Sequence, residues 1–487
     1  MTRRLENKHE GRGNPAPQAA PSGDTRLSGL PQTRGLGAVR VWLRTSGVEP
    51  GIRILGCSLA TLLGILYTSL HRRIRPGPAS LEDPSEALRR RGERWARLLG
   101  SLRGAYVKAG QFAASRPDLI PPAATAPLAT LRDRVPPLPL AQIQGVIESE
   151  LGQPLHRAFA EFEPTPLGAA SIAQVHRATL PDGTPVVVKV QYPWIQASLA
   201  ADLKLLRALA RTLLWLGARG RWRADFERFF AEFSEGLADE LDFTQEARAA
   251  AEIAENLADD PAIQVPEIVA DLSRRRVLTM VFCPCIGLSD RPGLEALGVQ
   301  PSQIVEILAR AYARQVFKDG LFHADPHPGN LFVIDEPGAQ QSPRVLFVDF
   351  GLHRRLSPEL RNEMRLGIFA LMQRDPDRFI ERMQALDMIA PGAEAGVHQA
   401  VSSMLERIAS EGGSEGLMQG PGGQVLGLKD EAKRLLQETP GLQLPNDLLL
   451  YAKTLSYLFA LSEDLAPEVD VMKISVPYLL EFLGGRD

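Results

Sequence analysis

The sequence predicts an α+β fold in two parts, a strand-rich part followed by a helical part. Apolar runs at 172–180 and 186–190 flank Pro181-Asp182-Gly183-Thr184, a turn signal that makes them a hairpin. Helical periodicity then dominates over about 194–216 and 223–257, and again from residue 301 onward. The last stretch is interrupted by one polar motif with Pro and Gly, accompanied by two short apolar runs that read as strands.

Residues 1–50 read as a disordered basic arm. They are rich in Gly, Pro and Arg, and most of them lack periodic apolar positions. Arg3, Arg4, Lys8, Arg12, Arg26 and Arg34 stand against Glu6, Glu10 and Asp24, too many acids for an organelle presequence. Residues 51–78 hold an apolar helix, with no charge from 54 to 70 and His71, Arg72, Arg73 and Arg75 after it. The uncharged part is roughly 25 Å long as a helix, just under a ~30 Å hydrocarbon core. Gly56, Ala60 and Gly64 form a small-residue stripe that lets two helices approach closely. The segment is therefore a candidate for membrane association, for burial against the main domain, or for packing in a homodimer. The basic cluster beside it suits anionic headgroups.

Residues 79–155 form a helical extension, with one helix over 82–115 and another over about 140–151. Arg116-Pro117 and Ile120-Pro121-Pro122 break the first. Residues 156–290 form the strand-rich lobe. Phe159 and Phe162 lead into the hairpin, and short strands follow near 264–269 and 277–282. Residues 291–487 form the helical lobe. Its glycine-rich stretch at 412–423 lacks a following Lys-Ser or Lys-Thr and reads as a flexible surface loop.

Composition narrows the chemistry. The chain has 487 residues, 44% hydrophobic and 23% charged, with formal net charge −3. That balance is globular, and near-neutral charge argues against nucleic acid as the main partner. Cys57, Cys283 and Cys285 are an odd, low count that fits a reducing compartment without a disulfide framework. One residue separates Cys283 from Cys285 and no second pair exists, so they read as small residues at a strand end. The first apolar run begins at Ile54, too late for a cleavable signal peptide.

The polar motif is Phe322-His323-Ala324-Asp325-Pro326-His327-Pro328-Gly329-Asn330, followed by Val348-Asp349-Phe350-Gly351. Protein kinases use this constellation. The first Asp orients the attacking hydroxyl, and the Asn and the Asp-Phe-Gly aspartate hold magnesium on ATP phosphates. The competing readings of His323, Asp325 and His327 are a solvated loop or a transition-metal site. Pro326 and Pro328 forbid a helix here, so the two histidines cannot share a helical face as zinc pairs do. Lys189 sits in Val-Val-Val-Lys-Val-Gln, a run without alternating polarity that reads as buried on both faces. A buried lysine needs a carboxylate or a bound anion, and Glu246 on the following helix is the natural partner.

Together these residues resemble the UbiB/AarF family of atypical protein-kinase-like proteins, over roughly residues 80–390. The resemblance implies a bilobal protein-kinase-like fold with a helical N-terminal extension, and ATP with Mg2+ as cofactors. It assigns Asp325 and Lys189 to catalysis, Asn330 and Asp349 to the metal, and Glu246 to positioning Lys189. Lys108-Ala109-Gly110-Gln111 resembles the family's Lys-x-Gly-Gln motif, which implies that Lys108 and Gln111 fold back over the nucleotide pocket. Glu240-Leu241-Asp242 resembles its Glu-x-Asp motif, which implies that Glu240 and Asp242 meet the Lys108 element and gate the pocket.

Gly168-Ala169-Ala170-Ser171 stands where kinases carry a glycine-rich phosphate loop. Methyl groups at Ala169 and Ala170 restrict the backbone's approach to phosphates, and Gly168 replaces the family's usual Ala. Ala249 replaces the family's Asn, and Val281 stands where Glu is frequent, leaving adenine contacts to backbone groups. Ala324 replaces the Arg of His-Arg-Asp, and no Ala-Pro-Glu segment follows Asp349, so peptide phosphorylation is not expected.

The expected function is an atypical kinase or ATPase supporting ubiquinone or isoprenoid-lipid metabolism. The expected location is the cytoplasm or the cytoplasmic side of a membrane, held peripherally or by one N-terminal segment. Its expected partners are nucleotide, a lipid or quinone precursor, a membrane surface and a second copy. The alternatives are a small-molecule or lipid kinase, and a nucleotide-binding scaffold without turnover.

Overall fold

The computed structural model describes residues 48–74, 84–114, 122–129, 131, 137–217, 222–336, 343–410, 435, 439 and 441–485. The arm expected over 1–50 lies outside the described residues except for 48–50, and the expected loop at 412–423 lies wholly outside them.

Helices α1 (Val48–Ile74), α2 (Pro84–Leu102), α3 (Ala105–Ala114) and α4 (Pro122–Ala129) build the N-terminal extension. The single helix expected over 82–115 is broken at Arg103 and Gly104, whose φ angles are 63° and 54°. A Cβ on Gly104 would lie 2.8 Å from Ile195 Cδ1, so both the space and the backbone require glycine. The break redirects α3 toward the phosphate-loop position, where the Gly104 N–H donates to the Ser171 carbonyl at 3.1 Å. One face of α1 is anchored by buried Ile54 and Thr61, while Ile52, Leu55, Leu59 and Leu63 are exposed on the other. Among the described residues no helix is long and apolar enough to cross a membrane.

Helices α5 (Leu140–Leu151) and α6 (Leu155–Ala158) lead into β1 (Glu161–Phe162), β2 (Gly168–Ala169), β3 (Ala173–Thr179) and β4 (Pro185–Gln191). Next come α7 (Ile195–Gly217), α8 (Trp222–Glu240), α9 (Phe243–Asn256), β5 (Ile263–Gln264), β6 (Val277–Val281) and β7 (Cys285–Gly287). The first sheet runs β1-β3-β4-β6 with β2 on β3, all antiparallel. Val186, Val188 and Val190 pack under Ile143, Val146 and Ile147 of α5. Strand alternation then sends Lys189 to the opposite face, toward α9. The helix expected over 223–257 is two helices, because Asp242 leaves helical geometry and caps α9 by accepting from Thr244 N at 3.0 Å. Of the strand expected over 264–269, only Gln264 lies in a strand, as the end of β5, which pairs with another sheet.

The helical lobe contains α10 (Arg291–Leu297), α11 (Pro301–Ala313), β8 (Leu321–His323), β9 (Leu331–Ile334), β10 (Val345–Phe347) and β11 (His353–Arg355). It continues with α12 (Pro358–Met372), α13 (Pro376–Ala385), α14 (Glu394–Ser410), α15 (Asn446–Leu465) and α16 (Val471–Leu483). Its sheet runs β5-β10-β9-β7, and β8 pairs with β11. Ile253 of α9 joins Ile304, Leu308, Leu331, Val333 and Phe347 in one core, so the helix carrying Glu246 is built into both lobes. The result is the two-lobed α+β arrangement expected from the sequence, preceded by helices.

Candidate active site

Lys189 is the hub of the site. Its Nζ donates to Glu246 Oε1 at 2.8 Å and Oε2 at 3.0 Å, and to Asp349 Oδ1 at 2.8 Å. The Lys189 and Glu246 side chains are 11% and 4% exposed, against 47% for Asp349. One ammonium shared by two carboxylates leaves a surplus negative charge, and burial decides which acid carries the strain. Burial pushes Glu246 up to about 7, with Lys189 opposing and the Asp349 charge adding. Burial also works against the charged form of Asp349, but Lys189 outweighs it and holds this acid well below the usual carboxylate range. Lys189 is raised despite burial, because Asp349 and Glu246 both favour the ammonium.

Asp349 has φ 61°, a left-handed conformation uncommon for a residue with a side chain. His323 holds that turn. The ring is fully buried, and Nε2 lies 3.2 Å from the Val348 carbonyl and 3.1 Å from that of Asp349. Nδ1 lies 3.2 Å from the Tyr312 hydroxyl, and the His323 N–H donates to Gln315 Oε1 at 2.9 Å. Burial lowers the His323 pKa, with Asp325 and Asp349 opposing. A neutral ring with its proton on Nε2 satisfies this network, with Tyr312 donating to Nδ1. His323 is therefore a buried brace, and the solvated-loop reading of it does not hold. Among the described residues no group of three or more His, Cys, Asp or Glu is arranged to hold a metal. At Gly351 an added Cβ would stand 3.1 Å from Asp349 Oδ1, so a side chain there would press on that carboxylate.

Asp325 and Asn330 lie on the loop between β8 and β9. The Asn330 amide nitrogen donates to the Asp325 carbonyl at 3.2 Å and to its Oδ2 at 3.1 Å. Leu331 pairs with Phe347, and the Val348 N–H donates to the Asn330 carbonyl at 3.0 Å. Asn330 and Asp349 are thus carried by the same end of one antiparallel pair. With its nitrogen turned to Asp325, Asn330 keeps its amide oxygen for a cation. An amide oxygen and one carboxylate suit a hard cation that takes its remaining ligands from phosphates and water.

The extension reaches the same region. Lys108 forms an ion pair with Glu240 at the end of α8. Glu240 lies close to Gly351, where an added Cβ would stand 3.9 Å from its Cγ. Gln111 donates instead to the Leu131 carbonyl at 2.7 Å, inside the extension. Asp242, expected to meet the Lys108 element, is engaged as the cap of α9 and lies 3.9 Å from Arg275. In the phosphate-loop position, Ala170 N–H donates to the Ala173 carbonyl at 2.8 Å, and Tyr192 donates to the Ala170 carbonyl at 3.0 Å. Ser171 is buried beside Ala169 and Ala170, its carbonyl taken by Gly104. Ala249 is buried in the core between the lobes.

Sequence patterns gave no sign of Tyr312, Gln315, Lys453 or Thr454. The last two sit on α15, where Lys453 Nζ lies 3.8 Å from Asp325 Oδ1 and Thr454 donates to the Ala324 carbonyl at 3.2 Å. No motif links residues so far apart in the chain, and only the packing of α15 brings them in. A separate cavity of about 400 Å³, lined in part by Glu232, Glu235, Asp239, Arg354 and Asp447, contains none of the sequence-predicted site residues.

Comparison with known proteins agrees with this architecture. Residues 130–383 match the ABC1 atypical kinase-like domain. The chain is 33% identical over 402 residues to a Marinobacter nauticus protein named "Probable protein kinase UbiB", covering 81% of this chain and 71% of that one. It is 30% identical over 408 residues to an uncharacterized Synechocystis protein, covering 83% and 67%. Among solved structures it is similar to Rv3197 of Mycobacterium tuberculosis, determined with erythromycin. That likeness has 25% identity and a TM-score of 0.46, and covers 76% of this chain and 94% of that one.

Proposed function

The chain belongs to the ABC1 atypical kinase-like family, and from that premise we propose that it binds ATP with magnesium and acts as an atypical kinase or ATPase. The observation that carries this reading is the buried Lys189 ammonium held at 2.8 Å by both Glu246 and Asp349. A lysine so placed is fixed in its charged form where β4, α9 and the turn carrying Asp349 meet. There it meets the α- and β-phosphates of a nucleotide.

Each residue has a task in this reading. Asn330 and Asp349 would hold magnesium, which when bound offsets the charge on the phosphate oxygens. Asp325, fixed by Asn330, orients the attacking water or hydroxyl. The carbonyls of Ala170 and Ser171 are already engaged, so the Ala169-Ala170-Ser171 loop is stiff and approaches phosphates less closely than glycine would. The Lys108–Glu240 pair covers the approach beside Gly351, and Gln111 and Asp242 stiffen the elements that carry it.

The family resemblance supports a role in ubiquinone or related isoprenoid-lipid metabolism, with a lipid or quinone precursor as partner. The exposed apolar face of α1, followed in sequence by His71, Arg72, Arg73 and Arg75, suits the surface of an anionic bilayer. This reading locates the protein in the cytoplasm or at the cytoplasmic face of a membrane.

The deciding experiment measures ATP consumption by the purified chain and by Asp349→Asn, with and without anionic vesicles and a quinone precursor. Consumption that depends on Asp349 supports the reading. Equal background rates would leave a nucleotide-binding scaffold, and phosphate recovered on an added acceptor would identify a small-molecule or lipid kinase. Calorimetry should show weaker nucleotide binding by Lys189→Ala, and unchanged affinity removes Lys189 from the site. Flotation with the vesicles tests α1, and a protein that stays at the bottom as a dimer assigns that face to a second copy.

A further inference from the structure

We propose that Lys453 is a catalytic residue, the cation that meets the terminal phosphoryl group beside Asp325. This rests on the nucleotide reading above and adds a residue from outside the 130–383 family match.

Geometry supports the assignment. Asp325 is bracketed, with Asn330 Nδ2 3.1 Å from Oδ2 and Lys453 Nζ 3.8 Å from Oδ1. A charge-assisted hydrogen bond would be about 2.8 Å, so Lys453 is near Asp325 without being locked to it. Both side chains are 33% exposed. A pair this loose and open contributes little to the fold. Its backbone, by contrast, is firmly placed. Thr454, next in sequence and 1% exposed, donates to the carbonyl of Ala324, the residue before Asp325, at 3.2 Å. One turn earlier, Tyr451 packs edge-on against Phe322 with centroids 6.3 Å apart. The helix is thus pinned to the catalytic loop on both sides of Lys453, while the ammonium keeps a flexible stem and three donors. Its other neighbour is the face of Tyr457, 5.5 Å away, which leaves it able to turn toward an anion.

The site then has a cation at each end. Lys189 is buried and serves the inner phosphates, and Lys453 is half-open and serves the outer one. In the transfer step the oxygen oriented by Asp325 forms a bond to the γ-phosphorus. The bond to the bridging oxygen breaks, and its electron pair leaves on ADP. The nucleophile's proton passes by way of Asp325 to solvent. Lys453 neutralises charge on the equatorial oxygens as they separate from ADP.

The test compares the full-length protein with Lys453→Met and Lys453→Arg. Calorimetry would use ADP with magnesium and a non-hydrolysable ATP analogue with magnesium, alongside turnover and melting temperature. Lys453→Met should lose about tenfold in affinity for the triphosphate analogue while ADP binding stays within about twofold. Turnover should fall by about 100-fold and recover in large part with Lys453→Arg, at an unchanged melting temperature. Equal losses for both nucleotides, or none for either, overturn the assignment. If wild type binds both nucleotides and Asp349→Asn abolishes turnover, that failure belongs to Lys453 alone. If wild type binds neither, the nucleotide reading falls and takes this inference with it.

Discussion

The two ends of the candidate site are built in opposite ways. Around Lys189 the contacts are short, 2.8 to 3.0 Å, and the lysine and Glu246 are almost wholly buried. Around Asp325 the lysine contact is 3.8 Å and both partners are one-third exposed. The inner end is assembled by the fold itself, since β4, α9 and the turn after β10 each supply one charge. The outer end is left loose, with its charges held near one another by elements that are themselves rigid. In the proposed reading the site binds a long anion and changes its far end, and this asymmetry suits that task, because preorganised charge costs no reorganisation whereas the reacting end must admit a second molecule.

The contrast can be broken at its inner end first. Asp349→Asn should lower ATP consumption by about 1000-fold, equivalent to about 4 kcal/mol of transition-state stabilisation. Turnover within tenfold of wild type would mean that the inner end does not handle the reacting charge.

Next in size is Lys189→Ala, read by denaturant unfolding. Removing the shared cation leaves two carboxylates facing each other and should cost about 3 kcal/mol at pH 8. The sign at each pH follows from the shifts. Lys189 is raised, so its contribution is present below the ordinary lysine range and is lost as pH rises through its folded value. Asp349 is lowered, so its contribution is present above the ordinary carboxylate range and is lost as pH falls through its folded value. Both contributions operate between pH 6 and 8 in the wild type and disappear in the variant. Glu246 is raised to about 7 and can take a proton, so the variant should lose less at pH 6 than at pH 8. A larger loss at pH 6 would contradict the shared-cation account.

A smaller effect concerns Glu246 alone. A magnesium–nucleotide complex carries net negative charge, so its binding beside an acid raised to about 7 favours the protonated form. Wild-type nucleotide affinity should therefore fall about tenfold or less from pH 6 to pH 8, and Glu246→Gln should flatten the profile. Equal slopes in both proteins would move the titration elsewhere.

The smallest expected change is at the outer end. Thr454→Val deletes the hydrogen bond to the Ala324 carbonyl and should cost about 1 kcal/mol by thermal unfolding. Nucleotide affinity should be unaffected. A loss of ADP binding would show that the two ends are mechanically coupled.

Local patterns made the main elements legible. The Pro181-Asp182-Gly183-Thr184 turn joins β3 to β4, and the valine run before Lys189 lies in β4. Helix breaks were harder to read. Arg103-Gly104 and Leu241-Asp242 lie inside strong helical periodicity, and each break is stabilised from elsewhere. Gly104 is used by Ser171 and Ile195, and Phe243 N–H donates to the Arg275 carbonyl at 3.0 Å. Propensity sums over a window cannot register a partner from another part of the chain.

Which residue types are available for phosphate chemistry, and in what order, is legible from the chain alone, because kinase-like spacing is local and motif-bound. The uninterrupted apolar flanks of Lys189 likewise mark a buried strand, because such a run is a short-range property. Tertiary structure alone decided that one ammonium is shared by Glu246 and Asp349, that His323 braces a left-handed aspartate, and that Lys453 stands beside Asp325. Each of those depends on close packing between segments tens to hundreds of residues apart. Electrostatic and hydrogen-bond energies vary with distances of a few ångström, which chain order does not encode.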